Sequence, residues 1–179
     1  MRTDRRGLAR AVSLAALTVA ALAAGFGASA QTKPTFAQVS QATAKVAEAY
    51  FAAYVARDWD RLAPLMAPAG SFSDPTARIV FGSLEHRGGA AVLAFFRESY
   101  AGLSRMNFHR TRAFFSGDVA VFEGTLDWTL QLGEGKEVVV DGMPFVTTLK
   151  VEDGQVVEHR DLADYHAFTA AYRKVVPGP

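Results

Sequence analysis

The chain has 179 residues, of which 50% are hydrophobic and 21% charged, a balance typical of a folded globular protein and not of a disordered one. The formal charge is +1, but four basic groups and one acid lie in residues 1–30, so the rest of the chain is close to neutral. We therefore expect no nucleic-acid partner, since phosphate binding needs a basic face, and the absence of cysteine excludes disulfides and thiolate chemistry.

The first thirty residues have the three parts of a secretory signal peptide. A basic segment over residues 2–10 precedes an apolar run from Ala11 to Ala24, and Ala28-Ser29-Ala30 has the pattern of a cleavage site. We predict cleavage after this motif, leaving residues 31–179 as one periplasmic or secreted domain. The apolar run is shorter than the roughly 20 residues of a membrane span, so no stable anchor is expected after cleavage. The general secretory route is favoured, with Arg5-Arg6 leaving the twin-arginine route as the alternative.

Helical periodicity dominates the first part of the mature domain. Apolar residues recur at three- and four-residue spacing from Thr35 to about Asp58, which predicts a first amphipathic helix. A second short helix is predicted from Trp59 to Met66, and a brief strand from Ser71 to Asp74. A third helix is expected to follow Gly88-Gly89.

After Gly102 the spacing of the apolar residues changes to two, which is the strand period. Four long strands are predicted at residues 107–115, 119–130, 137–151 and 155–162. Gly142 and Pro144 within the third of them predict a bulge or a bend, because glycine permits unusual dihedrals and proline lacks the ladder donor. A last short helix is predicted from Ala163 to Lys174.

Helices first and antiparallel strands afterwards indicate an α+β fold. We expect a cone-shaped, curved antiparallel sheet wrapped around the N-terminal helices and enclosing a pocket, which is the natural site for a small apolar molecule. The 13 phenylalanines, with the tyrosines and tryptophans, are assigned to the core and the pocket wall. Among them, Phe72 and Phe145 are expected to line the pocket.

A series of short motifs lies between residues 35 and 170: Arg57-Asp58-Trp59-Asp60, Phe72-Ser73-Asp74-Pro75, Gly88 to Phe96, Phe122-Glu123-Gly124, Asp153-Gly154 and His159-Arg160-Asp161. In this order and at these separations they resemble the SnoaL-like branch of the nuclear transport factor 2 superfamily. The resemblance implies the cone-shaped fold and a homodimer formed through the outer sheet face. It does not imply one reaction, because this superfold carries isomerases, hydrolases, cyclases and non-enzymatic binders.

The resemblance to ketosteroid isomerases implies roles for two residues. Their general-base aspartate precedes a proline, which matches Asp74 before Pro75, and their oxyanion tyrosine lies on the first helix and falls on Tyr50. Their second oxyanion group, a protonated aspartate, falls on Val146 or Thr147, and neither can replace it.

The resemblance to limonene epoxide hydrolases concerns the other end of the domain. Their water-activating aspartate follows an arginine, which matches Asp161 after Arg160, and their second aspartate falls on Asp127. The arginine that joins the two carboxylates falls on Thr125. The tyrosine and asparagine that help to hold the water fall on Phe72 and Asp74, so half of that set is missing.

Physical chemistry leaves two alternatives for the first two candidates. Asp74, next to a proline and two residues after a phenylalanine, is either a desolvated general base or a turn aspartate that accepts backbone N–H bonds. Tyr50 lies on the apolar stripe of the first helix, where it either donates to a developing oxyanion or is a core aromatic whose hydroxyl is hydrogen-bonded.

Period two gives two further groups of candidates. Glu123, Thr125 and Asp127 share one face of a strand, which either lines the pocket or faces water. His159 and Asp161 also share a face, where they either orient a water or a substrate hydroxyl or form a structural hydrogen bond.

No metal-binding motif and no glycine-rich phosphate loop follow from the sequence, so neither a metal nor another cofactor is expected. Two functions remain open. The first is a cofactor-free isomerase, hydrolase or cyclase acting on a small apolar ketone or epoxide, with Asp74 as general base, Tyr50 as oxyanion donor and Asp161 as a polar auxiliary. The alternative is a non-catalytic periplasmic protein that binds a hydrophobic ligand or a protein partner.

Overall fold

The computed structural model describes residues 33–176, and the predicted signal peptide with its cleavage after Ala30 lies outside them. Within this range the helices are α1 (Phe36–Ala56), α2 (Trp59–Leu62), α3 (Gly89–Ser99) and α4 (His166–Val175). The strands are β1 (Met66–Asp74), β2 (Leu84–Arg87), β3 (Leu103–Ser116), β4 (Val119–Gly133), β5 (Lys136–Glu152) and β6 (Gln155–Ala163). No helix in these residues is both long and apolar enough to cross a bilayer.

Helix α1 begins and ends close to the predicted residues. The Thr35 hydroxyl accepts a hydrogen bond from the Gln38 N–H at 3.3 Å, and the Gln38 side chain accepts one from the Thr35 N–H at 2.8 Å, which together form a capping box. Arg57 ends the helix in the left-handed conformation, with φ of 57°. Tyr50 and Tyr54 lie one turn apart on the buried stripe, so their hydroxyls project from the same face.

The segment between α1 and α3 differs most from the prediction. The second helix is shorter than expected, because α2 ends at Leu62 and continues as a 3-10 turn over Ala63–Leu65 that contains Pro64. The strand β1 is longer than its predicted core, and β2 was not predicted at all. Four residues, Leu84–Arg87, are too few for an alternating pattern to stand out in the sequence.

The six strands form one curved, unclosed sheet in the order β2-β1-β6-β5-β4-β3. The α+β class and the curved sheet packed with helices are confirmed. The expectation that all pairs are antiparallel needs one correction, because β1 and β6 pair in parallel, with Phe72 opposite His159 and Ser73 opposite Arg160. No hairpin turn joins these two strands, so no local signal in the sequence fixes their relative direction.

The predicted bulge at Gly142 is confirmed, and it bends the β4–β5 hairpin. Leu126 pairs with Met143, whereas Trp128 pairs with Val140, so one additional residue is accommodated in β5. Gly142 has φ of 67°, which only glycine adopts easily. The bend turns the inner face of the sheet, defined here as the face that packs on α1, around the interior of the domain.

Aromatic side chains fill the space between α1 and the inner face. Phe51 of α1 stacks on Phe122 of β4 with ring centroids 4.3 Å apart, and both rings are buried. Burial of one such side chain contributes about 1.5–3 kcal/mol to stability. On the other side of the cone, Phe168 of α4 stacks on Trp128 with centroids 5.0 Å apart, which holds the C-terminal helix against the sheet.

Candidate functional site

A cavity of about 360 Å³ lies inside the cone, within the size range of small-molecule sites. Its wall is mostly apolar and aromatic, and its polar groups are concentrated in a few side chains. The lining residues are Tyr54, Phe81, Leu84, Phe95, Ser99, Tyr100, Leu103, Met106, Leu126, Trp128, Leu130, Met143, Phe145, Asp161 and Tyr165. Within the part of the chain that the structure describes, Asp161 is the one lining residue that carries a carboxylate.

Asp161 is held by donors from three different elements. One carboxylate oxygen accepts the Thr147 hydroxyl of β5 at 2.6 Å and Nε2 of His159 at 2.9 Å, and the other accepts the Tyr54 hydroxyl of α1 at 2.7 Å. The side chain is buried, with a relative exposure of 1%. These three donors therefore fix a buried carboxylate at the surface of the cavity.

His159 connects Asp161 to Tyr50 in a buried chain of hydrogen bonds. Because the carboxylate only accepts, Nε2 of His159 carries a proton, and Nδ1 lies 3.1 Å from the Tyr50 hydroxyl. The Tyr50 proton has no other acceptor among the described side chains, so the arrangement that satisfies every group is a neutral imidazole whose Nδ1 accepts from Tyr50. The pair therefore leaves the charge of Asp161 uncompensated.

Tyr100 extends this network along the cavity wall. Its hydroxyl lies 2.6 Å from the Tyr54 hydroxyl, and since the Tyr54 proton is directed at Asp161, Tyr100 is the donor of this bond. Burial and the Asp161 charge raise the pKa of Tyr50, of Tyr54 and of Tyr100 well above the ordinary tyrosine value. All three phenols therefore remain protonated at physiological pH.

Asp74 lies on β1, next to β6, but its carboxylate is engaged elsewhere. One oxygen accepts the Thr76 N–H at 2.9 Å, the Thr76 hydroxyl at 2.5 Å and the Ala77 N–H at 2.9 Å, and the other accepts the Tyr165 hydroxyl at 2.6 Å. Asp74 is buried and is absent from the described cavity lining. This geometry is that of the turn aspartate, the second of the two alternatives drawn from the sequence.

Glu123, Thr125 and Asp127 lie outside the cavity, on the opposite face of β4 from Phe122 and Leu126. Their side chains are engaged on that outer face: Arg112 donates to Glu123, and the His109 ring lies 2.8 Å from Asp127. The expectation that these three residues line the pocket is therefore corrected. Alternation along the strand gives them one common face, and that face is the outer one.

The other candidates are divided between the cavity and its surroundings. Phe145 lines the cavity, whereas Tyr50 lies behind His159 and does not reach the lining. Phe72 packs against His159 with ring centroids 5.0 Å apart, and both border a second, polar cleft of about 190 Å³ between β1, β2 and β6. The structure thus brings Asp161, His159 and Tyr50 into one network and leaves Asp74 in another.

Four hydroxyl-bearing residues of the site were not identified as functional candidates from the sequence: Tyr54, Tyr100, Thr147 and Tyr165. Tyr54 follows Tyr50 by one helical turn, so a search for polar atoms on the same stripe could have found it. Tyr165 immediately precedes α4 and has no pattern that marks it. Residues 33–176 contain no group of three histidine or acidic side chains arranged to hold a metal ion.

Comparisons with known proteins agree with this architecture. The family model described as a SnoaL-like domain matches residues 47–159, and no curated protein matches the chain. The resemblance inferred from the motifs is thereby confirmed.

Solved structures show the same fold. A protein assigned as a SnoaL-like polyketide cyclase from Shewanella denitrificans OS-217 has a TM-score of 0.64 and 25% identity, covering 74% of this chain and 97% of that one. A protein assigned as a ketosteroid isomerase from Kribbella flavida DSM 17836 has a TM-score of 0.53 and 25% identity, covering 70% of this chain and 79% of that one. An epoxide hydrolase from M. tuberculosis, 16% identical with a TM-score of 0.57 over 76% of this chain and 92% of that one, supports the fold alone.

Proposed function

We propose, from the premise that the chain belongs to the SnoaL-like family, that its cavity binds a small, largely apolar molecule and that Asp161 acts on it as a general base. The observation that carries the proposal is the position of Asp161, a buried carboxylate at the surface of an otherwise apolar and aromatic cavity. A base must lie within reach of the proton that it removes, and the place of Asp161 in the cavity lining supports this role.

Asp74 is the weaker candidate for the same role. Its four donors leave little of its carboxylate available, and it is not part of the cavity lining. Asp161 accepts three bonds, and the oxygen that accepts from Tyr54 has a further lone pair to offer. The proposal therefore assigns proton transfer to Asp161 and assigns to Asp74 the fixing of the β1 turn and of Tyr165.

The reaction class is a cofactor-free proton transfer, as in isomerisation or cyclisation. Epoxide hydrolysis as in limonene epoxide hydrolases requires a second aspartate. The residue matched to that aspartate, Asp127, lies on the outer face of β4 and not in the cavity. Val146 or Thr147 matches the second oxyanion group of ketosteroid isomerases, and the Thr147 hydroxyl donates to Asp161 instead. Neither the catalytic residues of ketosteroid isomerases nor those of limonene epoxide hydrolases are all present, so the proposal rests on Asp161 and its hydrogen-bond network.

The test is turnover by Asp161→Asn against a panel of small apolar ketones, epoxides and alcohols. Asparagine keeps the shape of the side chain, so thermal unfolding close to that of the unchanged protein would show that the fold is preserved. We expect turnover to fall by at least about a hundredfold, the lower range for loss of a general base. Glu158→Gln is the control, because it also removes one negative charge from β6 but at an exposed position, and it should leave turnover intact. Full activity in Asp161→Asn would refute the assignment.

A non-catalytic binding function is the second candidate, and the incomplete template sets favour it. In that case the same panel gives saturable binding to both the unchanged protein and Asp161→Asn, with no compound consumed. Export through the predicted signal peptide and formation of a homodimer remain proposals that rest on the sequence. Cell fractionation with N-terminal sequencing of the mature protein tests the first, and sedimentation tests the second.

A further inference from the structure

The polar groups at the cavity surface offer acceptors and direct their protons elsewhere. Tyr54 donates to Asp161, and Tyr100 therefore donates to Tyr54. Tyr165, which also lines the cavity, donates to Asp74. A phenol has a single proton, so the oxygens of Tyr100 and Tyr165 present only lone pairs to a ligand, as does the carboxylate of Asp161.

The remaining side-chain donors of the described lining do not change this result. The Ser99 hydroxyl is at an exposed position at the end of α3 and takes no part in the hydrogen bonds that join Tyr100, Tyr54 and Asp161. The Trp128 ring lines the cavity, but its indole nitrogen is buried and has no partner among the described residues. A ligand in the cavity cannot bond an atom that solvent cannot reach. A molecule with only acceptor groups, such as a simple ketone or epoxide, therefore meets no free donor at Asp161, Tyr100 or Tyr165, and it can bond to these phenols only by breaking the Tyr100–Tyr54 or the Tyr165–Asp74 bond.

The charges around the cavity also favour a ligand that donates hydrogen bonds, and in particular a cationic one. Asp161 and Asp74 are both buried and both accept several hydrogen bonds, and the neutral tautomer of His159 compensates neither. No lysine or arginine is among the lining residues that the structure describes, and Arg57 donates to the backbone carbonyl of Leu103.

Both carboxylates act on the same space. Burial together with Asp161 and Asp74 raises the pKa of Tyr100, and burial together with Asp74 and Asp161 raises the pKa of Tyr165. Burial is the larger cause and disfavours any charge, but the contribution of the two carboxylates disfavours a phenolate and favours a cation.

Aromatic rings surround this negative region. The lining includes Tyr54, Phe95, Tyr100, Trp128, Phe145 and Tyr165. The face of such a ring attracts a cation within about 6 Å, and the attraction increases when water is excluded. An apolar body would pack on the same rings, so the wall suits a ligand that combines an apolar skeleton with a positive charge.

We infer that the ligand of this cavity carries a protonated amine on a small apolar body, with its N–H groups donating to Asp161 and to the Tyr100 oxygen. The inference deepens the proposed function, since it rests on occupancy of the cavity, but it does not require that Asp161 be catalytic. It replaces the ketone or epoxide that the resemblance to the two enzyme families implies with a ligand that donates hydrogen bonds.

The test is a matched series of ligands measured by calorimetry on the full protein at pH 7. 2-Phenylethylamine supplies a cationic donor, 2-phenylethanol a neutral donor, acetophenone an acceptor alone, and phenylacetate an anion, all on closely similar skeletons. We expect the amine to bind at least about tenfold more tightly than the alcohol, in line with a hydrogen bond to a charged group, and the ketone and the anion to bind more weakly still. Tighter binding of the ketone or the anion would overturn the inference and leave the proposed cavity function standing. No binding by any of the four would overturn both.

Two variants separate charge from hydrogen bonding. Asp161→Asn removes the carboxylate that the amine contacts and should reduce the ratio of amine to alcohol affinity severalfold, because the remaining carboxylate, Asp74, lies behind the Tyr165 hydroxyl and is not part of the lining. Tyr100→Phe removes an acceptor without a change of charge, and it should weaken both ligands while preserving the ratio. Glu158→Gln, on the outer face of β6, should change neither affinity. A ratio that survives in Asp161→Asn would refute the role of the carboxylate.

Discussion

Asp74→Ala separates a structural from a catalytic Asp74 more sharply than any other change in this protein. Alanine removes the acceptor of four donors at once: the Thr76 N–H and hydroxyl, the Ala77 N–H and the Tyr165 hydroxyl. The bonds from Ala77 and Tyr165 are buried, so water cannot replace the carboxylate there. Loss of this residue should therefore loosen both the turn after β1 and the attachment of α4 to it.

The magnitude follows from the two buried bonds. Hydrogen bonds to a charged group contribute about 1.5–3 kcal/mol each, so Asp74→Ala should lower the free energy of unfolding by about 3–6 kcal/mol. Each kcal/mol corresponds to about 2–4 °C for a domain of this size, which gives a fall in Tm of about 6 °C or more. Asp74→Asn should cost only about 1 kcal/mol, because its oxygen retains three donors and the Tyr165 oxygen can accept from the amide.

Thermal and urea unfolding of both variants, beside Asp60→Ala, measure these differences. Asp60 is a suitable control because its side chain is 90% exposed and its pairing with Arg97 contributes little to stability. A fall in Tm of less than about 2 °C for Asp74→Ala would refute the structural role. If Asp161 is the base, Asp74→Asn should also retain turnover, whereas loss of turnover with an unchanged Tm would restore Asp74 as the base.

Three further changes test other parts of the structure. Tyr50→Phe leaves the buried Nδ1 of His159 without a donor and should lower the free energy of unfolding by about 1–3 kcal/mol in urea titrations, while Tyr172→Phe on the exposed side of α4 should not. Gly124→Ala places a Cβ against the His109 backbone carbonyl of β3 and should cost about 1–3 kcal/mol. Gly102→Ala is the control, because its nearest neighbour is the flexible Leu130 side chain at 3.2 Å and the Gln131 carbonyl oxygen is at an ordinary contact distance of 3.6 Å. The Gly142 N–H and His109 lower the pKa of Asp127, so its charged form stabilises the fold above pH of about 4, and this stabilisation is lost as the pH falls through the lowered value. Asp127→Asn should therefore reduce Tm by a few degrees at pH 7 and by less near pH 2, and an equal reduction at both would contradict this reasoning.

Much of the fold could be predicted from the sequence because its signals are local. The long strands β3 to β6 follow from period two and from the turns between them, and α1 follows from its apolar stripe and from the place where it ends. The parallel β1–β6 pair could not be predicted, since it joins segments far apart in the chain without a turn. The strand β2 has only four residues, and its pairing with β1 depends on tertiary context.

The site was harder to predict because it depends on which face of each strand points inward. Period two gives His159 and Asp161 a common face, and it gives Glu123 and Asp127 another, but it does not say which faces meet. The apolar residues that alternate with these acids along β4 are the better guide, since Leu126 lines the cavity and the polar residues beside it face outward. Tyr165 became part of the site only because α4 folds back against the sheet.

The position of β6 in the sheet explains why Asp161 requires so many partners. The strand lies between β1 and β5 and beneath α1, so an inward carboxylate there is shielded from bulk water and faces only the cavity. A buried charge costs several kcal/mol, and hydrogen bonds from Tyr54, Thr147 and His159 only partly offset it. Well-packed apolar residues of similar volume are often at least as stabilising as a buried charged group. Stability alone therefore does not account for a carboxylate at this position, whereas recognition of a donor or a cation in the cavity does.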